Sequence, residues 1–251
     1  MTHWGAPAFG LAVYAAALVA LAPATLIDAR LQAASEGRLR LAEARGSLWS
    51  GAGWIEVRDA QGKAGVARRL TWRVLPVSLL RARLLAEVEF DRDAKPFPVA
   101  ISFSRIDIAD AGVSVPAAVL GLGVPRLAAL RLTGEVRVKV PRLSFERGQM
   151  HGDATLQWRA AGSALTPISP LGDYEVRFKA AGPAVHAALR TLEGPLQLEG
   201  KGTWTNGAPP SFLVTARVPA QHREQLAPLL GLIAVERGAG RFELSSSNLA
   251  F

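Results

Sequence analysis

The chain has 251 residues, of which 49% are hydrophobic and 20% are charged, and it contains no cysteine. This composition is typical of an ordered globular protein, and the lack of cysteine excludes disulfides, thiolate metal sites and thiol catalysis. The net charge of +8 comes from arginines that are scattered along the chain. Without a basic block or a basic helix, nucleic-acid binding is not expected. The charge could attract anionic lipid or acidic partners, or it could reflect coding bias alone.

The chain begins with a long run that carries no charge. Residues 4–27 are 24 positions without Asp, Glu, Lys or Arg. A helix of that length can cross a hydrocarbon core of about 30 Å at about 1.5 Å per residue. The sequence therefore predicts a single membrane anchor over residues 1–27 and one folded domain over residues 28–251. The residues predicted to form the membrane anchor are Phe9, Leu11, Val13, Tyr14, Leu18, Val19 and Leu21.

Cleavage and orientation of this run are both open from the residues alone. Residues 20–22 have the small-x-small form of a signal-peptidase site, but Pro23 follows it and only His3 and the amino terminus precede the run. An uncleaved anchor is therefore favoured over a signal peptide. Arginines follow the run and none precedes it, so the positive-inside rule would leave the domain in the cytoplasm. Long domains, however, often translocate regardless of such counts.

Alternation of polar and apolar residues recurs through the rest of the chain. It is clearest at residues 135–140, where three valines alternate with Glu135, Arg137 and Lys139. Such alternation indicates strands with one buried and one solvated face. It predicts strands over residues 38–44, 49–58, 70–74, 86–90, 99–108, 135–140, 150–160, 174–179, 196–199, 212–218 and 241–245.

Helical patterns are few. They cover residues 75–80, 115–122 and 185–192, and residues 221–233, where Leu226, Leu229, Leu230 and Ile233 have helical spacing. These segments fall singly between strands, which disfavours parallel βαβ winding. A long series of strands with one apolar face must curl, close or pack on a second sheet. We therefore predict a mainly β fold, in which one N-terminal transmembrane helix precedes a strongly curved antiparallel sheet, a half-barrel-like meander, with a sandwich as the alternative.

Tryptophans stand close to glycines in several short motifs, as is typical of a tightly curved sheet where a ring covers a position without a side chain. With the N-terminal hydrophobic segment and the 226–233 helix, these motifs resemble the type II secretion system protein N family (general secretion pathway protein N). The motif residues are Gly46, Trp49 and Gly51, Trp72 before Leu75-Pro76, Trp158, and Gly200, Gly202 and Trp204 after Gly194-Pro195, followed by Gly238-x-Gly240-x-Phe242.

The resemblance implies a place in the cell inner membrane, as a single-pass protein with its large domain in the periplasm. It implies an accessory role in a machine that moves folded proteins through the outer-membrane secretin. The partners implied are other type II secretion components, either the secretin or the inner-membrane platform. The family supplies no catalytic residues.

No constellation for catalysis is found in the sequence. The histidines at 3, 151, 186 and 222 stand alone, without a second metal ligand at helical or hairpin spacing. Phosphate loops and Gly-x-Ser-x-Gly elbows are absent. We therefore expect no enzyme activity, no metal and no cofactor, and we expect Trp72, Trp158 and Trp204 to pack in the core. Two functions stay open: a subunit acting through protein-protein interactions, and a lipid-binding or envelope-transport module whose apolar concave sheet holds an acyl chain.

Overall fold

The structure is a computed structural model, and it describes residues 10, 13–14, 17–58, 64–91, 95–123, 125–238 and 240–246. Over these residues the prediction of a mainly β protein with a few short helices is confirmed, with fourteen antiparallel strands. The chain divides into two compact units, Met1–Pro96 and Phe97–Phe251.

In the first unit, a helix packs on a four-stranded antiparallel sheet with the order β1-β2-β3-β4. Leu41 of β1 and Trp72 of β3 are buried with Ala24, and Ile27 and Leu31 of the helix pack against them. The elements are α1 (Thr25–Ala34), β1 (Leu39–Gly46), β2 (Ser50–Arg58), β3 (Ala64–Leu75), a 3₁₀ helix (Pro76–Arg81) and β4 (Arg83–Phe90).

The second unit is a longer antiparallel meander with the strand order β5 to β12, then β14 and β13. Its elements are β5 (Phe97–Ser102), β6 (Arg105–Pro116), a 3₁₀ helix (Ala117–Val119), α2 (Leu120–Gly123), α3 (Pro125–Ala128), β7 (Leu132–Glu146), β8 (Gln149–Ser163), β9 (Gly172–Gly182), β10 (Ala184–Glu193), β11 (Gln197–Thr205), β12 (Ser211–Arg217), a 3₁₀ helix (Ala220–His222), α4 (Arg223–Gly231), β13 (Val235–Gly238) and β14 (Arg241–Ser245).

The alternation in the sequence sets which side of each strand faces the core. In β7, Val136 is buried while Arg137 and Lys139 are exposed. The buried residues of the second unit form one cluster, in which Leu226 of α4 and Phe242 of β14 are almost fully buried. Helix α4 therefore covers the apolar face of the sheet, as the helical spacing at residues 221–233 predicts.

The structure corrects two of the predicted elements. The predicted helix at residues 185–192 is wrong, because this segment is strand β10, which pairs with β9 on one side and β11 on the other. Its alanines favour a helix weakly, and pairing on both edges overrides that preference. The predicted strand at residues 99–108 is two strands, because a turn at Phe103 separates β5 from β6.

The other helical predictions are closer to the structure. Residues 75–80 match the 3₁₀ helix after β3, and residues 115–122 hold a 3₁₀ turn followed by α2. Strand β13 was not predicted, since its four residues are all exposed and show no alternation.

Neither unit closes into a barrel among the residues described. In the second unit the pairings run from β5 to β13 without joining these two strands to each other. The strands of each unit also lie in one sheet rather than two, so the sandwich alternative is wrong. Irregular pairing opposite Gly134, and again beside Ala160, adds bulges to β7 and β8, and bulges of this kind bend a strand.

The predicted anchor is only partly within the described residues. Phe9 and Leu11 lie outside them, while Val13, Tyr14, Leu18, Val19 and Leu21 are all at least half exposed. In the portion of the chain that the structure describes, no helix combines the length and the apolar character needed to cross a bilayer.

Candidate functional site

The motif from Gly46 to Gly51 forms the tight turn between β1 and β2. The backbone N–H of Ser47 donates a hydrogen bond to the carbonyl of Ser50 over 2.9 Å. Gly46 has a φ of +97°, and a Cβ there would lie 2.9 Å from Cα of Gly51. Glycine is required at this turn because a side chain would be strained and would collide with the next strand.

This turn also binds the chain segment at the end of the predicted anchor. Nε1 of Trp49 donates to the carbonyl of Val19 over 2.9 Å, and the N–H of Leu48 donates to the carbonyl of Ala22 over 2.8 Å. The N–H of Ala24 donates in return to the carbonyl of Gly46 over 3.2 Å. The motif therefore fastens residues 19–24 to the sheet of the first unit.

Gly51 is covered by the ring of a different motif residue. Gly51 of β2 lies directly opposite Trp72 of β3, and the buried indole occupies the place of the missing side chain. Nε1 of Trp72 donates to the carbonyl of Ser47 over 3.2 Å, which ties the ring to the turn. The structure thus brings together Gly51 and Trp72, which are distant in the sequence, and Trp49 faces the N-terminal segment instead.

The motif residues of the second unit also pair glycines with bulky side chains. Gly200 of β11 lies opposite Val214 of β12. A Cβ added to Gly202 would lie 3.1 Å from the ring of Trp204. The Trp204 ring lies 6.4 Å from that of Phe178 and is 38% exposed. Core packing is therefore confirmed for Trp72, whereas Trp204 is exposed along part of its ring.

Trp158 is half-buried and lies opposite Tyr174 on the next strand. The two ring centroids are 5.8 Å apart, and Nε1 of Trp158 donates to the carbonyl of Thr133 over 2.9 Å. The hydroxyl of Tyr174 donates to the carbonyl of Leu196 over 2.9 Å, and burial raises the pKa of this phenol well above its usual value. Both rings thereby form part of one inner wall.

That wall encloses an apolar cavity of about 310 Å³ in the second unit. Side chains from seven adjacent strands line it, namely β7 to β12 and β14, together with Leu229 and Leu230 of α4. Laid flat, seven strands would span roughly 29 Å at about 4.8 Å per spacing. They can surround one cavity of this size only if the sheet curls, so the predicted strong curvature is present in this part of the second unit.

The outward face of the same strands carries a charge network around Glu175. Only 7% of the Glu175 side chain is exposed, and its carboxylate accepts hydrogen bonds from Gln157 over 3.0 Å, Arg177 over 2.7 Å and Arg190 over 3.0 Å. The hydrogen bond from Gln157, followed by those from the two arginines, holds the pKa of Glu175 below its usual value. The network joins β8, β9 and β10 on the face opposite the cavity. Sequence reasoning missed it, because the only local signal is ordinary alternation of polar and apolar residues.

No group suited to bind a metal is formed by the residues within the described ranges. His151 and His186 are exposed, and the closest polar group of His186 is Oγ1 of Thr203 at 3.3 Å. His222 lies 3.2 Å from the amide of Gln221, and His3 falls outside the described residues. Within the described residues, His151, His186 and His222 do not combine into a metal-binding group.

The comparison with family models identifies the relationship. The model of the type II secretion system protein N family matches residues 37–245. The chain belongs to that family. The match covers both motif-bearing units, and it confirms the resemblance in the sequence. Neither a curated protein nor a solved structure matches this chain.

Membership identifies the chain as an accessory component of type II secretion. The matched range includes the Gly46 turn and the strands around the cavity, and it starts after residues 19–24. The first unit thus holds the N-terminal segment by hydrogen bonds, and the second unit carries an apolar cavity and a charged outer face.

Proposed function

We propose that this chain is an inner-membrane subunit whose residues 1–27 form an uncleaved single-pass anchor. Residues 28–251 form a β-rich periplasmic domain that binds other secretion components, either the secretin or the inner-membrane platform, during export of folded proteins. The family match over residues 37–245 carries this proposal. The charge-free run at residues 4–27 supports the anchor.

The contacts of the Gly46 turn support a direct connection between anchor and domain. Because Trp49 and Leu48 hold residues 19 and 22 by hydrogen bonds, the last residues of the proposed anchor are themselves attached to the first sheet. The N–H of Leu41 adds a bond of 2.7 Å to the carboxylate of Asp28. A domain tethered this closely meets membrane-bound partners at a raised effective concentration.

The sheet edges differ in their capacity to bind a partner strand. The outer edge of β1 is occupied by α1, since Leu41 donates to Asp28 and Leu39 donates to Oγ of Ser35. Strand β13 is exposed along all four residues, and within the described part of the chain only β14 pairs with it. Main-chain hydrogen bonds from a partner strand could therefore form at β13. Glu236 and Arg237 on this short edge disfavour unspecific self-association.

Orientation is tested by single-cysteine labelling, which suits a chain without native cysteine. Asn206→Cys lies in the exposed turn after β11, and we expect a membrane-impermeant thiol reagent to label it in intact spheroplasts. Thr2→Cys is the matched control, and it should react only after the membrane is disrupted. Protection of Asn206→Cys together with labelling of Thr2→Cys would reverse the proposed orientation.

Partner binding is tested by site-specific photo-crosslinking in cells. A photoreactive residue at Arg237 on the β13 edge should crosslink to the secretin or to a platform subunit. The control position is the exposed Lys201, in the middle of the sheet, where no such product is expected. If neither Arg237 nor other exposed positions of the second unit gave a crosslink to a secretion component, the proposed interaction would be wrong.

A further inference from the structure

The walls of the cavity in the second unit are aliphatic. It is lined by twenty residues, and seventeen of these are Leu, Ile, Val or Ala. The other three are Trp158, Ser163 and Tyr174. No charged side chain is among them, so the interior offers no counter-ion to a charged ligand.

Each polar group in the wall already has a backbone partner. Nε1 of Trp158 donates to Thr133, the hydroxyl of Tyr174 donates to Leu196, and the hydroxyl of Ser163 donates to the carbonyl of Leu130. These side chains therefore complete the protein's own hydrogen bonding rather than presenting donors to an occupant. A ligand with a polar group inside the cavity would leave that group unpaired.

The volume sets the size of a suitable occupant. A dry apolar cavity of about 150 Å³ takes up benzene, with six carbons, so 310 Å³ corresponds to about twelve carbons. Ligand sites in proteins begin at roughly this volume. An unbranched chain of methylenes satisfies both the volume and the absence of polar partners.

We infer that the second unit binds one hydrocarbon chain, the acyl chain of a lipid or fatty acid, in the cavity between the curled sheet and α4. Its polar end stays outside, because the lining has no charged group to receive it. This inference goes beyond the proposed role in secretion, since partner binding at β13 does not require an occupied cavity. It assigns a ligand class to the apolar concave face of the sheet.

The test uses the full chain in its native membrane and a fatty acid that carries a diazirine in its chain and a terminal alkyne. After irradiation, peptide mass spectrometry locates the label. We expect labelled peptides from inward positions of β9 to β12 or from α4. Label confined to the N-terminal segment and absent from the second unit would overturn the inference.

Two variants fill the cavity and one serves as a control. Val214→Trp fills it from β12, and Ala234→Phe fills it from the segment after α4. Excluding two methylenes lowers affinity about tenfold, and we expect at least that loss of label in the second unit. Leu213→Trp adds the same ring as Val214→Trp on the opposite face of β12, where Leu213 is 52% exposed, and should label like the wild type.

Folding of each variant is checked by circular dichroism, and Ala234→Phe serves where Val214→Trp does not fold. Unchanged labelling of a folded cavity-filling variant would overturn the inference. The inference would also be overturned if residues lining the cavity crosslinked to a secretion protein and the fatty-acid label were absent. The cavity would then be a docking pocket for protein side chains. If neither variant folds, the labelling pattern of the wild type alone decides whether the cavity binds a hydrocarbon chain.

Discussion

The close packing of Gly51 against Trp72 predicts that Gly51→Ala destabilises the first unit. An added Cβ would lie 2.8 Å from Cη2 of Trp72 and 2.5 Å from the carbonyl oxygen of Arg45. The first atom belongs to a ring that is only 7% exposed and hydrogen-bonded to Ser47. The second is backbone of the neighbouring strand. Neither can move away without disturbing β1 or β3.

The magnitude follows from two opposing effects. Overpacking of this kind destabilises by about 1–3 kcal/mol, while replacing glycine in a strand by alanine contributes about 0.5–1 kcal/mol in the other direction. The middle values, about 2 and about 0.75 kcal/mol, leave an expected net loss of about 1 kcal/mol in the free energy of unfolding. Gly112 of β6 offers a control, because the nearest atom to a Cβ there is 4.0 Å away. Gly112→Ala should be neutral or slightly stabilising.

The assay is urea unfolding of the full chain in mild detergent, followed by tryptophan fluorescence. Gly51→Ala should lower the midpoint by roughly 0.5–1 M at the slopes usual for small domains, and Gly112→Ala should not lower it. The reasoning is refuted if Gly51→Ala unfolds within about 0.5 kcal/mol of the wild type, or if Gly112→Ala loses as much stability.

Three further changes follow from the structure. Leu226→Ala should destabilise the protein by about 2–5 kcal/mol, because Leu226 is fully buried under the sheet. Leu232 is 58% exposed, so Leu232→Ala should change the stability little. Thermal unfolding of the two variants measures the difference. The pKa of Glu175 is lowered in the folded protein. Its ionised carboxylate therefore stabilises the folded state at pH values above the unfolded pKa of about 4.3. This contribution is lost as the pH falls through the pKa of the folded state. Glu175→Gln should cost about 1–2 kcal/mol near neutral pH and progressively less in acid, while Glu199→Gln, on the exposed face of β11, should have little effect at either pH. Trp49→Phe removes the hydrogen bond to Val19 and should speed proteolysis at residues 19–24; an unchanged cleavage rate would argue that this bond does not hold the segment.

Local pattern predicted most of the strands because alternation is a property of neighbouring residues. The predicted strand at residues 241–245 has the observed bounds of β14, and the faces of β7 follow its valines. The same kind of evidence failed at β10, where alanines favour a helix and only the flanking strands select an extended chain. It also missed β13, which has no buried face.

The candidate site was predictable in its components and not in its arrangement. The motifs pointed to glycines covered by aromatic rings, and the apolar strand faces pointed to a concave surface. Which ring covers which glycine required the register of β2 and β3. The bonds from Trp49 to the N-terminal segment and the enclosure of the cavity by α4 likewise depend on residues far apart in the chain.

By itself, the sequence determined the family, the succession of strands and the side of each strand that is apolar. Short stretches of residues are enough to determine each of these, because alternation and short motifs do not depend on contacts between distant residues. The tertiary structure alone decided the pairing of Gly51 with Trp72, the curl of seven strands around one cavity and the burial of Glu175. These depend on strand register, bulges and packing between distant segments, whose free energies no short stretch contains.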